Sequence, residues 1–559
     1  MQYSAFHTQP DEVLESEETA LHDTDGTRLY ETWDSGLLDS IIRLKTEEGF
    51  CYDPLCVAAE AGSTDVLGVI VDHYHRTSST KKPLHRRKCS LLSAACSDLH
   101  LETAQFILDM QPTPCSVDFN QSDRDEALLA AARALTDLPP EYLFPEVRKS
   151  ETSIDPDHWR SDLIARGEEL INLLLDGGAS AQAVELPTSN SEWAAQILCG
   201  GSVVKDDDDE SQSLQSFGTV LGLASSRAGS ALVKRLIDHG ANIHAKEQYQ
   251  YHPSSSFWSA MPMPWNVTSL HISSMYWNTE ALQTLLDHHR RDITESLSCR
   301  DSKGRLPLHW AAAGPGSDEC WLSDVHIKDR IMDTLKLLLA GSEINSPDDQ
   351  GENTLHHAIR GHACCAGSEH LDTMVKFLLE NGAEADIVDN NGQTVLHKFA
   401  ANCKGGDPID IPLMDILLSH GVEINQQDKN GNTALHLIAR NLRQVQAAKF
   451  LISRGADVSL TDSRGNTALH HCLHVGSILD RHGCVVSTFA DQREALDEMR
   501  VILLEAGADI MMDQSNSRGE TPRQLLFKRL ENWRRAEFPE LFPKPAGRGR
   551  PRTNNLVDS

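Results

Sequence analysis

Apolar residues in the second half of this chain fall into two alternating kinds of run. One kind is Leu-rich and closes near a glycine, as in "LLLAGSEINSPD", "FLLENGAEADIVD", "ILLSHGVEINQQD", "FLISRGADVSLTD" and "ILLEAGADIMMD". The other is short, rich in small residues, and follows an Asp-x-x-Gly frame. "DKNGNTALHLIA" (428 to 439) and "DSRGNTALHHCL" (462 to 473) share Gly-Asn-Thr-Ala-Leu-His, 34 residues apart. Looser copies are "DSKGRLPLHWAA" (301 to 312), "DDQGENTLHHAI" (348 to 359), "DNNGQTVLHKFA" (389 to 400) and "NSRGETPRQLLF" (516 to 527). The pattern predicts a recurring unit of two helices and a turn. A unit that cannot bury its apolar face alone needs neighbours, and recurrence at a near-fixed period is the signature of such stacking.

The chemistry of the frame supports this. Thr394, Thr433 and Thr467 precede the short helices, where a hydroxyl can accept a hydrogen bond from an orphan N–H of the first turn. The His three residues later, at 397, 436 and 470, can reach back as Glu does in a capping box. The Leu between them enters the core. The alanines that follow keep the first helix thin, so the longer side chains of the second can pack across units. Gly382, Gly421 and Gly455 end the second helix, where a left-handed residue is commonly needed. His271, His309, His356, His397, His436 and His470 are accordingly read as structural, neither catalytic nor metal-binding.

These residues resemble the ankyrin repeat, a unit of 33 residues with Gly-x-Thr-Pro-Leu-His at a small first helix and Leu-Leu-x-x-Gly-Ala at the end of a second. Weaker copies extend the resemblance upstream: "VTSLHISS" (267 to 274), "GTVLGLASSRAGSALVKRLIDHGANIHAKE" (218 to 247), "DPLCVAAEAGSTDVLGVIVDHY" (53 to 74), "CSLLSAACSDLHLETAQFILDM" (89 to 110) and "EALLAAARAL" (126 to 135), completed by "GEELINLLLDGGASAQA" (167 to 183). It implies an all-α solenoid of about eleven helix-turn-helix units with hairpin loops, several with insertions. The expected organisation is an acidic, disordered N-terminus (1–34), N-terminal repeats (35–183) interrupted at 137–166, an acidic linker (184–217), the main array (218–530) and a basic C-terminal tail (531–559). Residues 33 to 50, "WDSGLLDSIIRLKTEEGF", predict an amphipathic capping helix, and "KDDDDE" (205 to 210) reads as solvated linker.

The departures are as informative as the matches. The anchor glycines at 304, 351, 392, 431, 465 and 519 are separated by 47, 41, 39, 34 and 54 residues, so one gap alone is close to the ideal period. The excess falls after the first helix of a unit and before the second, at 314–329, 361–372, 402–412 and 474–494. Insertions at one slot of a stacked array land on one edge, away from the hairpin tips.

Charge and composition narrow the function. With 82 acidic and 51 basic side chains the formal net charge is −31, which disfavours broad binding to nucleic-acid or lipid phosphates. The opening residues lack the pattern of a secretory or transit peptide, and no stretch of 18 apolar residues exists. A nuclear or cytoplasmic location is therefore expected, with the thirteen cysteines, none in a Cys-x-x-Cys pair, as reduced thiols. Two His/Cys groups invite a metal reading: His470, His471, Cys472 and His474 with His482 and Cys484, and His356, His357, His362, Cys364 and Cys365. Their spacing matches no standard zinc module, and the repeat already uses one His of each. We expect no metal, cofactor or small-molecule substrate.

No Gly-x-Ser-x-Gly, Walker loop, strand-linked Gly-x-Gly-x-x-Gly or His-Glu-x-x-His is present, so catalysis is not expected. The ankyrin resemblance implies a rigid concave surface whose tips vary while the framework stays constant, and hence a protein partner. The tips flanking the anchor glycines are the candidate contacts: Lys303, Arg305, Gln350, Glu352, Asn390, Gln393, Lys429, Asn432, Arg464 and Asn466. The tail runs against the charge of the chain. Arg548-Gly549-Arg550-Pro551, followed by Arg552, resembles the core of an AT-hook, which implies weak A·T-rich minor-groove contact; nuclear import and an inert solvated tail stay open beside it. A non-catalytic interaction scaffold is expected, either a nuclear factor such as a transcription coregulator or a cytosolic adaptor such as a substrate-recruiting subunit of a ubiquitin ligase.

Overall fold

The computed structural model describes residues 58–77, 91–109, 120–136, 156–185, 218–249, 264–289, 293–315, 327–362, 369–402, 408–475 and 489–537. The N-terminal acidic segment, the capping helix expected at 33–50 and the tail from 538 onward lie outside them. The chain forms two compact units. One comprises residues 1–224 with 231–242, the other 225–230 with 243–559.

The first unit is a set of helix pairs. Residues 58–60 are helical and precede α1 (Thr64–Thr77); α2 (Leu91–Ser97) pairs with α3 (Leu101–Asp109), and α4 (Gln121–Thr136) with α5 (Pro156–Asp176). A two-residue strand, β1 (Val184–Glu185), pairs antiparallel with β2 (Gly218–Thr219), which leads into α6 (Val220–Ala224) and then α7 (Ser230–Asp238). The first helices of these pairs are thin because their buried positions are small: Ala94 and Ala95 in α2, Ala127, Ala131 and Ala132 in α4. This lets α2, α4 and α6 pack side by side. Two sequence expectations shift here. The interruption placed at 137–166 ends earlier, since α5 starts at Pro156. The compact units divide after Ala224 and not across 184–217, because β1 and β2 bracket the acidic segment and α6 packs on α4, with the Thr136 hydroxyl donating to the Leu223 carbonyl at 2.9 Å.

In the second unit the pairs are α8 (Ser269–Met275) with α9 (Thr279–His288), α11 (Pro307–Ala313) with α12 (Ile327–Leu339), α13 (Thr354–His362) with α14 (Glu369–Glu380), α15 (Val395–Asn402) with α16 (Ile411–Ser419), α17 (Ala434–Ala439) with α18 (Val445–Ser453) and α19 (Ala468–Val475) with α20 (Phe489–Glu505). A short α10 (Ile293–Leu297) precedes α11, and a 3-10 turn (Ala508–Asp513) precedes α21 (Pro522–Glu537). The first helices stack in sequence order, α8 on α11 and so on to α21. All four long insertions fall between the two helices of a pair, as the spacing predicts; α17 and α18, joined by 440–444, have none. No described helix is long and apolar enough to cross a membrane.

Within the second unit, histidines link successive helix pairs. Nδ1 accepts the backbone N–H of the cap residue at Thr268, Leu306, Asn353, Thr394, Thr433 and Thr467, at 2.9–3.4 Å. That assigns the ring proton to Nε2, which donates to a carbonyl of the following unit: His271 to Arg305, His309 to Ser346, His356 to Gln393, His397 to Asn432, His436 to Asn466 and His470 to Glu520, at 2.9–3.3 Å. In the last frame Gln524 takes the histidine's place and its Oε1 accepts the Thr521 N–H. Burial is the first cause that pushes His271, His356 and His436 down to about 4, from an ordinary value of 6.5.

Two glycines show separate backbone demands. Gly455, ending α18, has φ of +97° with nothing near its Cβ position, so conformation alone selects it. Gly431 has φ of +76°, and a Cβ there would lie 2.7 Å from the Ser463 nitrogen, so the next unit's approach excludes a side chain as well.

Leu435 and Leu469 are 1% and 0% exposed. Leu435→Ala or Leu469→Ala should lower the unfolding free energy by about 2 to 5 kcal/mol in urea titration; a loss below about 1 kcal/mol at both sites would show that neither is core. The histidines add a pH signature. The unfolded chain protonates these rings near 6.5 and the folded chain only near 4, so this stability is complete above pH 6.5 and is lost as pH falls toward 4. At pH 5.5 each of the three rings should cost about 1.4 kcal/mol relative to neutral pH. Equal urea midpoints at pH 7.5 and 5.5 would contradict the neutral, buried assignment.

Candidate partner-binding surface

The tip of each frame is built around one side chain. The backbone N–H of Asp301, Asp348, Asp389, Asp428, Asp462 and Asn516 donates to the carbonyl four residues on, at 2.8–3.0 Å. The same residue's Oδ1 accepts the N–H groups two and four residues on, also at 2.8–3.0 Å. A short oxygen-bearing side chain is what an Asx-type turn requires, which explains Asp or Asn at this position. Neighbouring tips join through one backbone hydrogen bond at each junction: Asp349 to Lys303, Asn390 to Gln350, Lys429 to Asn391, Ser463 to Asn430 and Ser517 to Arg464, at 2.7–3.0 Å.

The second carboxylate oxygen is taken by the residue nine positions on, at the start of the first helix. Trp310 Nε1 donates to Asp301 at 3.0 Å, His357 Nε2 to Asp348 at 3.0 Å, Lys398 Nζ to Asp389 at 2.6 Å and His471 Nε2 to Asp462 at 2.9 Å. Burial alone would push the Asp348 carboxyl up; the His357 hydrogen bond and charge and the N–H groups of Glu352 and Gln350 outweigh it and hold the carboxyl at about 2.

This geometry divides the ten sequence-predicted contacts by their place relative to the anchor glycine. Residues before it face outward: Gln350, Asn390, Lys429 and Arg464 are exposed and Lys303 is half-exposed. Residues after it turn inward. Arg305 is buried, with Nε 2.7 Å from Asp301 and its guanidinium 5.0 Å from the Trp310 ring centre. Glu352, 2% exposed, lies between Arg360 and Lys398, each at 2.7 Å. Gln393 accepts from Lys398 at 3.0 Å, Asn432 donates to Asp428 at 3.3 Å, and Asn466 donates to Asp462 at 2.9 Å. Arg305 and Glu352 are therefore corrected from contact candidates to framework residues, because their charges are already balanced inside the fold. Exposed Asp349, Asn391, Asn430, Ser463, Ser517 and Arg518 share the outward position and were not singled out by sequence. Their place one or two residues after the turn Asp or Asn was the available signal.

The two His/Cys groups are likewise committed to the framework where they are described. His470 and His356 join units, His471 and His357 hold tip carboxylates, and His362 stacks on Trp277 with ring centres 5.8 Å apart. Burial pushes the Cys472 thiol up to about 12, and His474 is exposed. Cys364, Cys365, His482 and Cys484 lie outside the described residues, as do Arg548, Gly549, Arg550, Pro551 and Arg552. Among the described residues, Asp348, Glu352 and His357 place ligand atoms within 4.8 Å of one another. Lys398 and Arg360 already supply positive charge to Glu352 at 2.7 Å, so a divalent cation there would meet two like charges.

Three overlapping copies of a family model described as ankyrin repeats match residues 325–406, 362–462 and 399–480. Over 241 residues the chain is 25% identical to an E3 ubiquitin-protein ligase, KEG, of Arabidopsis thaliana; the match covers 40% of this chain and 13% of that relative's length. The Asp-centred tips and the histidine bonds between units run through the matched segment. Residues 325–480 of this chain are therefore ankyrin repeats.

Proposed function

We propose that the chain is a non-catalytic interaction scaffold of about eleven helix-turn-helix units that captures a protein partner on its hairpin tips and the adjoining face of the first helices. The observation that carries this is the division within each frame. Side chains after the anchor glycine are consumed by the fold, while those before it stand exposed on a backbone held by three hydrogen bonds to one Asp or Asn. A rigid backbone presenting exposed side chains lowers the ordering cost of binding. The frame acids and histidines that would be the raw material of catalysis are occupied by tip and inter-unit bonds.

Within that reading, the basic tail inclines us to a nuclear regulatory factor such as a transcription coregulator, with Arg548, Gly549, Arg550, Pro551 and Arg552 serving import or weak A·T-rich DNA contact. A second reading, a cytosolic adaptor such as a substrate-recruiting subunit of a ubiquitin ligase, is favoured by the 25% likeness to the ligase.

Replacing Lys303, Gln350, Asn390, Lys429 and Arg464 together by Ala should weaken pull-down of partners and leave the melting temperature unchanged. Undiminished capture would move the binding site to the insertion edge. Deleting 544–559 should remove nuclear signal from the tagged chain, and a peptide of 540–559 should prefer A·T-rich duplex with a log–log salt slope of about −2 to −4. Unchanged localisation together with equal binding to both duplexes would leave the tail without either role and favour the cytosolic adaptor.

A further inference from the structure

The last three frames, 428 to 528, differ from those before them in charge. Each carries one cation at the exposed tip: Lys429, Arg464 and Arg518, none of which makes an ion pair among the described residues. Each carries a second basic side chain twelve residues after its turn Asp or Asn, at the end of the first helix in two frames and in the middle of α21 in the third: Arg440, His474 and Lys528, all exposed. This position is one helical turn beyond the residue that faces the tip carboxylate, so both lie on the same helix face. Between the two columns run Leu437, His471 and Leu525.

The acids that would neutralise these columns are missing or occupied. The Asp428 and Asp462 carboxylates are buried in tip hydrogen bonds. The last frame substitutes Asn516, which closes the same turn with 2.9 and 3.0 Å bonds and no charge. Glu520, 3.7 Å from Lys528, is the exception. Of the exposed acids in this stretch, Asp491, Glu494, Glu498 and Glu505 lie on the second helix, α20, Asp457 and Asp509 follow second helices, and Asp513 pairs with Arg523 at 2.7 Å. The earlier frames lack the double column: at the same position, twelve residues after the turn Asp, they carry Ala313, Arg360 and Ala401, and Arg360 is paired with Glu352. A local cationic face in a chain of net charge −31 is therefore a matter of placement and not of bulk composition.

We propose that this face, the tips and first helices of residues 428–528, docks an acidic segment of a protein partner, its carboxylates on the two columns and an apolar side chain against half-buried Leu437. This deepens the scaffold reading and rests on it. Tip spacing suits an extended chain, because successive tips are tied in register by Ser463 to Asn430 and Ser517 to Arg464 bonds at 2.7 and 2.8 Å. A short acidic segment feels chiefly the nearby cations, since charges beyond about 8 Å are screened at physiological salt. A nucleic acid extending past the face would meet the acidic remainder of the chain.

The test uses the full chain and three probes: a labelled peptide of about 12 residues, alternating Glu or Asp with Leu, long enough to cross three units at about 10 Å each; the same peptide with Gln and Asn for the acids; and a single-stranded oligonucleotide of equal length. The acidic peptide should bind, weaken with salt, and lose about tenfold or more in affinity in the triple variant Lys429→Glu, Arg464→Glu, Arg518→Glu. Lys303→Glu, at a tip outside the face, should leave it unchanged, and all variants should keep the wild-type melting temperature. Binding of the neutral peptide as tight as the acidic one, or undiminished binding in the triple variant, would overturn the proposal. Tighter binding of the oligonucleotide at physiological salt would replace it with a nucleic-acid site. If the acidic peptide fails while captured partners still depend on the exposed tips, the docking proposal falls and the scaffold reading stands.

Discussion

The architecture of the second unit depends on one bond made six times: the imidazole Nε2–H of each first helix donating to a carbonyl of the next unit. A single helix pair buries too little apolar surface to stand alone, so its stability comes from stacking. Apolar packing is non-directional; the imidazole fixes where the next unit sits. Its other nitrogen closes the cap of its own helix, so each ring sets the start of one helix and the position of the following tip together. This double duty demands a neutral ring, which burial enforces.

Once neighbouring tips are positioned, each turn Asp or Asn completes the surface. Its backbone and Oδ1 close the turn, and where a polar group stands nine residues on, Oδ2 binds the helix. The frame tolerates considerable change around these bonds. Leu306 stands at a cap position and loses only the side-chain bond; Gln524 replaces a histidine and keeps the cap; insertions enter between the helices of a pair, where no tip or histidine bond is broken. The exposed side chains before the glycine, the ends of the first helices and the insertion slot are thus the places left for recognising a partner.

Much of this was legible in the sequence because it repeats. Gly-Asn-Thr-Ala-Leu-His located the caps, and the Leu-rich runs located the second helices. What periodicity cannot convey is which of two polar neighbours points inward. Lys303 and Arg305 flank the same glycine with equal charge, yet only the second lies within reach of Asp301 and Trp310. Glu352 looked like a tip contact because its balancing cations, Arg360 and Lys398, are distant in sequence. In "GENTLHH" the cap is Asn353 and not the more familiar Thr354, since register counted from the histidine decides the matter. The division between compact units was missed for a related reason: composition marks 184–217 as linker, whereas the strand pair that brackets it and the packing of α6 on α4 are long-range facts.

The central claim is that the exposed tips are rigid parts of the framework and not loose loops. Hydrogen–deuterium exchange at the amides of Lys429, Ser463 and Ser517 tests it most directly, because these residues are exposed and yet their N–H groups donate to the preceding tip at 2.7–2.8 Å. The account predicts that they exchange as slowly as the helices they join, and that His436→Ala accelerates Ser463, at the junction it serves, well before Ser517. Exchange at the rate of free surface loops in the unsubstituted chain would contradict it.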